Sequence, residues 1–213
     1  SSRFSALRLE TLMRIRWLAV IGQSIAVLFV YFFLEFDFLL LPCFVFIGLS
    51  AVLNLFLRYR YPGNIRWEGF QVMLLLGYDI LQLMCLLYLT GGLQNPFAIL
   101  LVVPVVISAA TQKIQNTITL FCWSILAISF LVFFHEPLPW YDNVSFILPL
   151  ELKIGVWVAI IATMGFMAVY TYRVADESRK LSDALSATEL VLQNERSLFE
   201  PESYRRLEPT TRY

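Results

Sequence analysis

Charged residues are scarce in this chain. Asp, Glu, Lys and Arg make up 15% of its 213 residues, whereas an average soluble domain has about 25%. Hydrophobic residues make up 59%, and the mean hydropathy is +0.69. This composition excludes an ordinary soluble domain and predicts an all-α integral membrane protein in a lipid bilayer. Basic and acidic residues balance at a net charge of zero, and no nucleic-acid partner is predicted.

Histidine and cysteine are also rare, and their positions argue against a metal or catalytic site. Cys43, Cys85 and Cys122 each lie inside an apolar run and are interpreted as small core residues. His135 is the single histidine, with no ligand-spaced partner for a metal. The Walker lysine loop, the dinucleotide glycine fingerprint, the nucleophile elbow and the HExxH zinc helix are absent. We therefore predict no catalytic residue and no metal ligand.

Long apolar runs fill most of the sequence. A helix needs about 20 apolar residues to cross a hydrocarbon core of about 30 Å. Five runs meet or approach that length, at Trp17 to Leu34, Phe38 to Leu57, Phe70 to Leu89, Thr117 to Phe134 and Leu152 to Tyr172. A further run, Phe97 to Ala110, would extend only about 21 Å as a helix. The sequence predicts six transmembrane helices within residues 17–172, one of them short.

Basic residues collect on one side of these predicted spans. They precede the first span, follow the second and fourth, and follow the last, at Arg3, Arg8, Arg14, Arg16, Arg58, Arg60, Arg66, Lys113, Arg173, Arg179 and Lys180. On the other side Lys153 is surrounded by acidic residues, namely Glu35, Asp37, Glu136, Asp142 and Glu151. Because Lys and Arg mark the cytoplasmic side, both termini are predicted to be cytoplasmic, beginning with a segment at residues 1–16.

The last span continues into a charged stretch without a Pro or Gly to end the helix. Apolar and small residues recur there at alternating steps of four and three, at Val174, Ser178, Leu181, Leu185, Thr188 and Leu192. This spacing predicts that residues 173–196 pair with a second copy as a short parallel coiled coil. The alternative is an amphipathic helix lying on the bilayer surface. The tail, residues 197–213, has two prolines and no periodicity, and it stays unassigned.

An uncharged stretch, TGGLQNPF at Thr90 to Phe97, interrupts the apolar runs before the short span. Non-helical backbone at membrane depth must be satisfied by protein or by a bound polar partner. The glycine amides, the Asn95 amide and the Phe97 ring suit a flat, uncharged molecule with carbonyl oxygens, such as a quinone. The predicted ligand site comprises Gly91, Gly92, Gln94, Asn95, Pro96 and Phe97. The alternative is a tight turn in which Asn95 caps a helix starting at Pro96.

Asp79 and Gln82 lie three residues apart on one face of the third span. A carboxyl group inside a span is costly, and it is therefore a candidate for function. Asp79 and Gln82 are predicted to support the ligand site, as a proton relay or as links between helices. Pro104 is expected to kink the short span and to deprive the Leu100 carbonyl of its donor. A transporter or channel built on Asp79 and Pro104 is the alternative function, although no second broken helix is found.

Four strings resemble the RegB/PrrB (ActS) family of redox-responsive sensor histidine kinases. They are GGLQNPF, YDILQL in the third span, LMRIRWLAVIGQ at the first span and RVADESRKLSDALSATELVL after the last. The resemblance covers about residues 4 to 196. In that family GGxxNPF is the proposed quinone-sensing motif. It falls here on Gly91, Gly92, Asn95, Pro96 and Phe97.

The resemblance implies a dimeric sensor in the bacterial inner membrane that reads the redox state of the ubiquinone pool. Its output would be a cytoplasmic kinase that acts on a response regulator. The family's phosphorylated histidine box, redox-active cysteine and ATP-binding domain have no counterpart here. The chain is therefore expected to be the sensor part, without kinase activity alone. An enzyme that turns quinone over is not favoured, since no haem, flavin or iron–sulfur ligand set is visible.

The charge distribution predicts the accessibility of the two ends of the chain. Single cysteines placed at Ser2 or Thr210 should resist an impermeant thiol reagent in intact cells, because both ends are predicted to be cytoplasmic. A cysteine at Asp142, on the predicted outer side, should react and serves as the positive control. Labelling at either end from outside the cell would overturn this topology.

Overall fold

The computed structural model describes residues 9–36, 38–61, 69–139, 145–146 and 148–199. In these ranges the α-helices are α1 (Leu9–Phe32), α2 (Leu40–Arg60), α3 (Gly69–Leu89), α4 (Val102–Thr111), α5 (Ile114–Phe133) and α6 (Leu150–Phe199). Two 3-10 helices, Gly92–Gln94 and Pro96–Leu101, lie between α3 and α4. The predicted helical architecture is confirmed. One short antiparallel pair of strands, β1 (Leu138–Pro139) and β2 (Ser145–Phe146), was not predicted.

Five helices in the described ranges are long and apolar enough to cross a membrane, namely α1, α2, α3, α5 and α6. The remaining apolar segment, Pro96–Thr111, is shorter. The count of six spans therefore stays a prediction. Helix α1 begins at Leu9 rather than near Trp17. Residues 9–16 thus belong to the first helix, and the cytoplasmic location of residues 1–16 stays a prediction.

Helix α3 lies at the centre of the membrane unit. It packs against α2, α4 and α5. Of its most apolar 18-residue stretch 50% is buried, compared with 11% of the corresponding stretch of α1. A Cβ added at Gly77 would lie 2.2 Å from the Trp123 ring of α5, so only glycine permits this close approach. Because α3 is held on several sides, it gives the segment that follows Leu89 a fixed base.

Pro104 differs from its predicted setting. It was expected in the middle of a span, with the carbonyl of Leu100 left without a donor. In the structure a 3-10 helix precedes α4, so Pro104 lies in the first turn of α4, where proline is tolerated. The Val102 N–H donates to the Leu100 carbonyl. The tighter helix therefore satisfies this carbonyl, which an uninterrupted α-helix would have left unpaired.

The chain divides into two units, Ser1–Tyr172 and Arg173–Tyr213. In the second unit the seam residues are exposed, at Val174, Leu181, Leu185 and Leu192. A hydrogen bond from Lys180 to Asp176, with an N–O distance of 2.8 Å, lowers the pKa of the Asp176 carboxyl. Of the unassigned tail, residues 197–199 complete α6 and residues 200–213 lie outside the described ranges. Coiled-coil pairing stays a prediction.

Candidate functional site

We call residues Thr90–Phe97 the glycine loop. Gly91 and Gly92 have positive φ angles of 98° and 59°, which glycine adopts without the steric cost of a side chain. The two glycines let the chain turn immediately after α3. Both are buried, whereas Pro96 and Phe97 are exposed. The loop therefore has a buried first half and an exposed second half.

The Asn95 side chain closes this loop. Its Oδ1 accepts a hydrogen bond from the Phe97 N–H at 2.9 Å. Its Nδ2 donates to the Thr90 hydroxyl at 2.8 Å and to the Thr90 carbonyl at 3.2 Å. The interpretation of Asn95 as a helix cap is therefore confirmed. A ligand that accepts a hydrogen bond from this amide must displace one of the bonds to Thr90.

Two other side chains of the glycine loop, Gln94 and Phe97, bear on the ligand prediction. Among the residues that the structure describes, the buried Oε1 of Gln94 has no hydrogen-bond partner. The Phe97 ring is 42% exposed and thus open to stacking. The loop therefore has an open aromatic face and an unsatisfied acceptor that is enclosed by protein.

His135 packs against the glycine loop, which the sequence analysis did not predict. A Cβ added at Gly92 would lie 2.7 Å from Cγ of the His135 ring. The ring Nδ1 lies 3.0 Å from the Glu136 carbonyl oxygen, and Nε2 lies 3.1 Å from Nζ of Lys153 on α6. The Glu136 N–H donates to the Tyr88 carbonyl of α3 at 2.8 Å. The segment after α5 is thus fastened to the end of α3 and to the start of α6.

Asp79 pairs with Arg16 of α1. Nη2 of Arg16 lies 3.2 Å from Oδ1 of Asp79, and the Arg16 side chain is 3% exposed. The guanidinium also lies 5.4 Å from the centre of the Tyr78 ring and donates to the Ser50 hydroxyl of α2 at 3.3 Å. Asp79 was predicted from the sequence as a candidate functional residue, whereas Arg16 was interpreted only as one of the basic residues that precede the first span. The carboxyl group therefore links neighbouring helices, one of the alternatives left open by the sequence.

Gln82 makes a second polar link between α3 and α1. Its Nε2 donates to Oε1 of Gln23 at 2.9 Å. Asp79 lies eleven residues before Thr90, and Gln82 lies eight residues before Thr90. At the helical rise, Asp79 is about 16 Å and Gln82 about 12 Å from Thr90 along the helix axis. The structure therefore brings the glycine loop residues together but does not bring Asp79 and Gln82 to them.

The buried ion pair predicts a large effect of removing one partner. In Asp79→Ala the Arg16 guanidinium stays buried without a counter-charge, so the free energy of unfolding in detergent should fall by about 3 kcal/mol. The control is Glu10→Ala, which removes the exposed Glu10–Arg14 pair and should cost less than about 1 kcal/mol. Replacing both buried partners, in Arg16→Met/Asp79→Leu, should restore much of the loss. Equal effects of the two single changes would contradict this account.

Comparisons with known proteins agree with the helical membrane architecture. The PilS-like transmembrane domain family matches residues 8–110. Two curated relatives are both named Sensor histidine kinase RegB, one from Cereibacter sphaeroides and one from a designated strain of that species. Each is 38% identical over 191 residues, which is 90% of this chain and 41% of the relative. No solved structure matches the chain.

The chain thus spans about two-fifths of the length of the curated relatives it matches. The similarity nevertheless extends over nearly the whole of this chain, and the matched family is a transmembrane domain. The chain is similar to the RegB-type sensor histidine kinases over 90% of its length, and the two kinds of match together support its identification as the transmembrane sensor part of such a kinase.

Proposed function

We propose that this chain is the input domain of a two-component histidine kinase. It binds the head group of ubiquinone at the glycine loop and transmits the redox state of the quinone to a cytoplasmic kinase through α6. The observation that carries the proposal is that one uncharged loop holds both an exposed Phe97 ring and a buried Gln94 oxygen that has no hydrogen-bond partner among the described residues. Such a site suits a flat neutral ring that bears oxygen atoms.

The two redox forms of the ligand place different demands on this loop. A quinol hydroxyl can donate to the unpartnered Oε1 of Gln94 when the loop opens and exposes this buried atom. A quinone carbonyl needs a donor, and Nδ2 of Asn95 supplies one only by giving up a bond to Thr90. Because Asn95 also caps the helix that starts at Pro96, this exchange would loosen the helix start. The two forms therefore stabilise different loop arrangements, as differential binding requires.

Helix α6 is the element proposed to carry the output. Its membrane part is joined to α5 by a hydrogen bond from the Trp157 indole N–H to the Ser129 hydroxyl at 3.0 Å. Ile160 and Met164 of α6 are buried in the core. The same helix continues to Phe199. A coupling of about 1 to 3 kcal/mol between ligand and helix position would change kinase activity several-fold.

The proposal also includes pairing with a second copy of the chain and an orientation of the chain in the membrane. The exposed apolar seam of α6, from Val174 to Leu192, suits a parallel coiled coil with another chain. Cytoplasmic termini in the bacterial inner membrane would place this seam on the side of the kinase and its response regulator. A transporter is less well supported, because Asp79 is engaged by Arg16 and Pro104 lies in the first turn of α4.

Removing the Phe97 ring should weaken ligand binding. We expect Phe97→Ala to raise the dissociation constant of a short-chain ubiquinone analogue about fivefold, since an aromatic pair contributes about 1 kcal/mol. Phe133→Ala removes another exposed ring, at the end of α5, and should leave binding unchanged. Equilibrium binding to the purified proteins is the measurement.

Two changes at Asn95 separate its capping role from its donor role. Asn95→Ser keeps a capping hydroxyl but loses the amide donor, whereas Asn95→Ala loses both. We expect both variants to bind the oxidised analogue more weakly, and only the alanine variant to lose about 1 kcal/mol of stability. If the wild type, Asn95→Ser and Phe97→Ala bind the analogue equally well, the quinone site is elsewhere.

A further inference from the structure

His135 occupies the space between the glycine loop and the start of α6. Its ring lies against the backbone of Gly92 on one side, and its Nε2 lies 3.1 Å from Nζ of Lys153 on the other. We propose that His135 is a positioning residue of the sensor, which ties Gly92 to the first turn of α6 through Lys153. Its role in signalling rests on the proposed function, whereas the contact itself can be tested without any quinone.

The contact between His135 and Gly92 is close enough to transmit a displacement. A Cβ added at Gly92 would lie within 2.8 Å of three ring or side-chain carbons of His135. No side chain fits there unless the ring moves. Conversely, a ligand that shifts the Gly92 backbone toward the ring must displace the ring, because the ring already fills the space that a Cβ at Gly92 would occupy.

Hydrogen-bond chemistry fixes the state of the His135 ring. The Lys153 ammonium has only donors, so Nε2 must be the acceptor. The ring proton therefore lies on Nδ1 and is donated to the Glu136 carbonyl at 3.0 Å. The two hydrogen bonds together thus require the tautomer with its proton on Nδ1. Among the described residues, the ring has a contact with Lys153 of α6 and with the backbone of Gly92 and Glu136.

The hydrogen bonds around His135 determine which part of its contact with Gly92 can move. The Glu136 N–H is fixed to the Tyr88 carbonyl of α3, so the backbone beside His135 is anchored to a buried helix. The imidazole ring is then the part that can turn about its side-chain bonds. A turn of the ring moves Nε2 relative to Nζ of Lys153 and weakens or restores the hold on α6. A change in the loop would thereby reach α6 without passing through α4.

Nitrogen NMR of the ring tests the contact directly. His135 is the single histidine, so ¹⁵N-histidine labelling gives one pair of ring signals. We expect the pattern of an Nδ1-protonated neutral ring, and a shift of the Nε2 signal in Lys153→Met. Glu151→Gln, in the same first turn of α6, is the control and should leave the signal in place. An Nε2-protonated ring, or no response to Lys153→Met, overturns the contact whether or not the protein binds quinone.

Hydrogen exchange at the start of α6 tests the positioning role. Without ligand, His135→Ala and Lys153→Met should each raise amide exchange there at least about fivefold. His135→Gln should show a smaller rise, because its Oε1 can accept from Lys153. If His135→Ala and Lys153→Met exchange these amides at the wild-type rate, His135 does not have the proposed positioning role.

The same measurement with bound ubiquinone analogue tests the coupling. In the wild type the analogue should change exchange at the start of α6. His135→Ala and Lys153→Met should lose this change while still binding the analogue. If variants that bind it keep the wild-type response, His135 does not couple the two elements. If the wild type binds no analogue, the proposed function fails, and the ring signals and ligand-free exchange still decide the role of His135.

Discussion

The backbone of the glycine loop must satisfy its polar groups at a place where the helix hydrogen-bond pattern stops inside an apolar protein. Asn95 meets this constraint by bonding to Thr90 and Phe97, and Glu136 contributes a bond to the Tyr88 carbonyl. These bonds use most donors near the loop and leave the Gln94 acceptor free. The proposed ligand site is thus limited by the same constraint that shapes the turn.

The buried Arg16–Asp79 pair has a different role, because it stabilises the base on which the loop stands. It joins α1 to the central helix α3, and the Gln82–Gln23 bond adds a second link. The Nη2 atom of Arg16 makes the contacts with Asp79 and Ser50, and each charge of the pair reduces the cost of burying the other. Helix α3 is thus held by α1, α2, α4 and α5, and the glycine loop follows at its C-terminal end.

The sequence allowed prediction of the long apolar helices, the loop at residues 90–97 and a carboxyl group at Asp79 inside a helix, because each depends on local composition. It did not reveal that Arg16 pairs with Asp79, since the two are distant in sequence and Arg16 resembles a flanking charge. The contact of His135 with Gly92 is likewise a tertiary feature. The only available signal was that both lie at the ends of spans on one predicted side. The 3-10 segment before Pro104 was missed because hydrophobic periodicity does not distinguish it from α-helix over so few residues.

The central claim is that quinone redox state changes the position of α6. The most direct measurement is disulfide cross-linking of single cysteines from Val174 to Leu192 in membranes, with the quinone pool oxidised or reduced. The account predicts maxima at the seam positions Val174, Leu181, Leu185 and Leu192, with intensities that differ between the two redox states. A flat profile, maxima at Asp183 and Glu189, or a seam pattern that is identical in both states would contradict it.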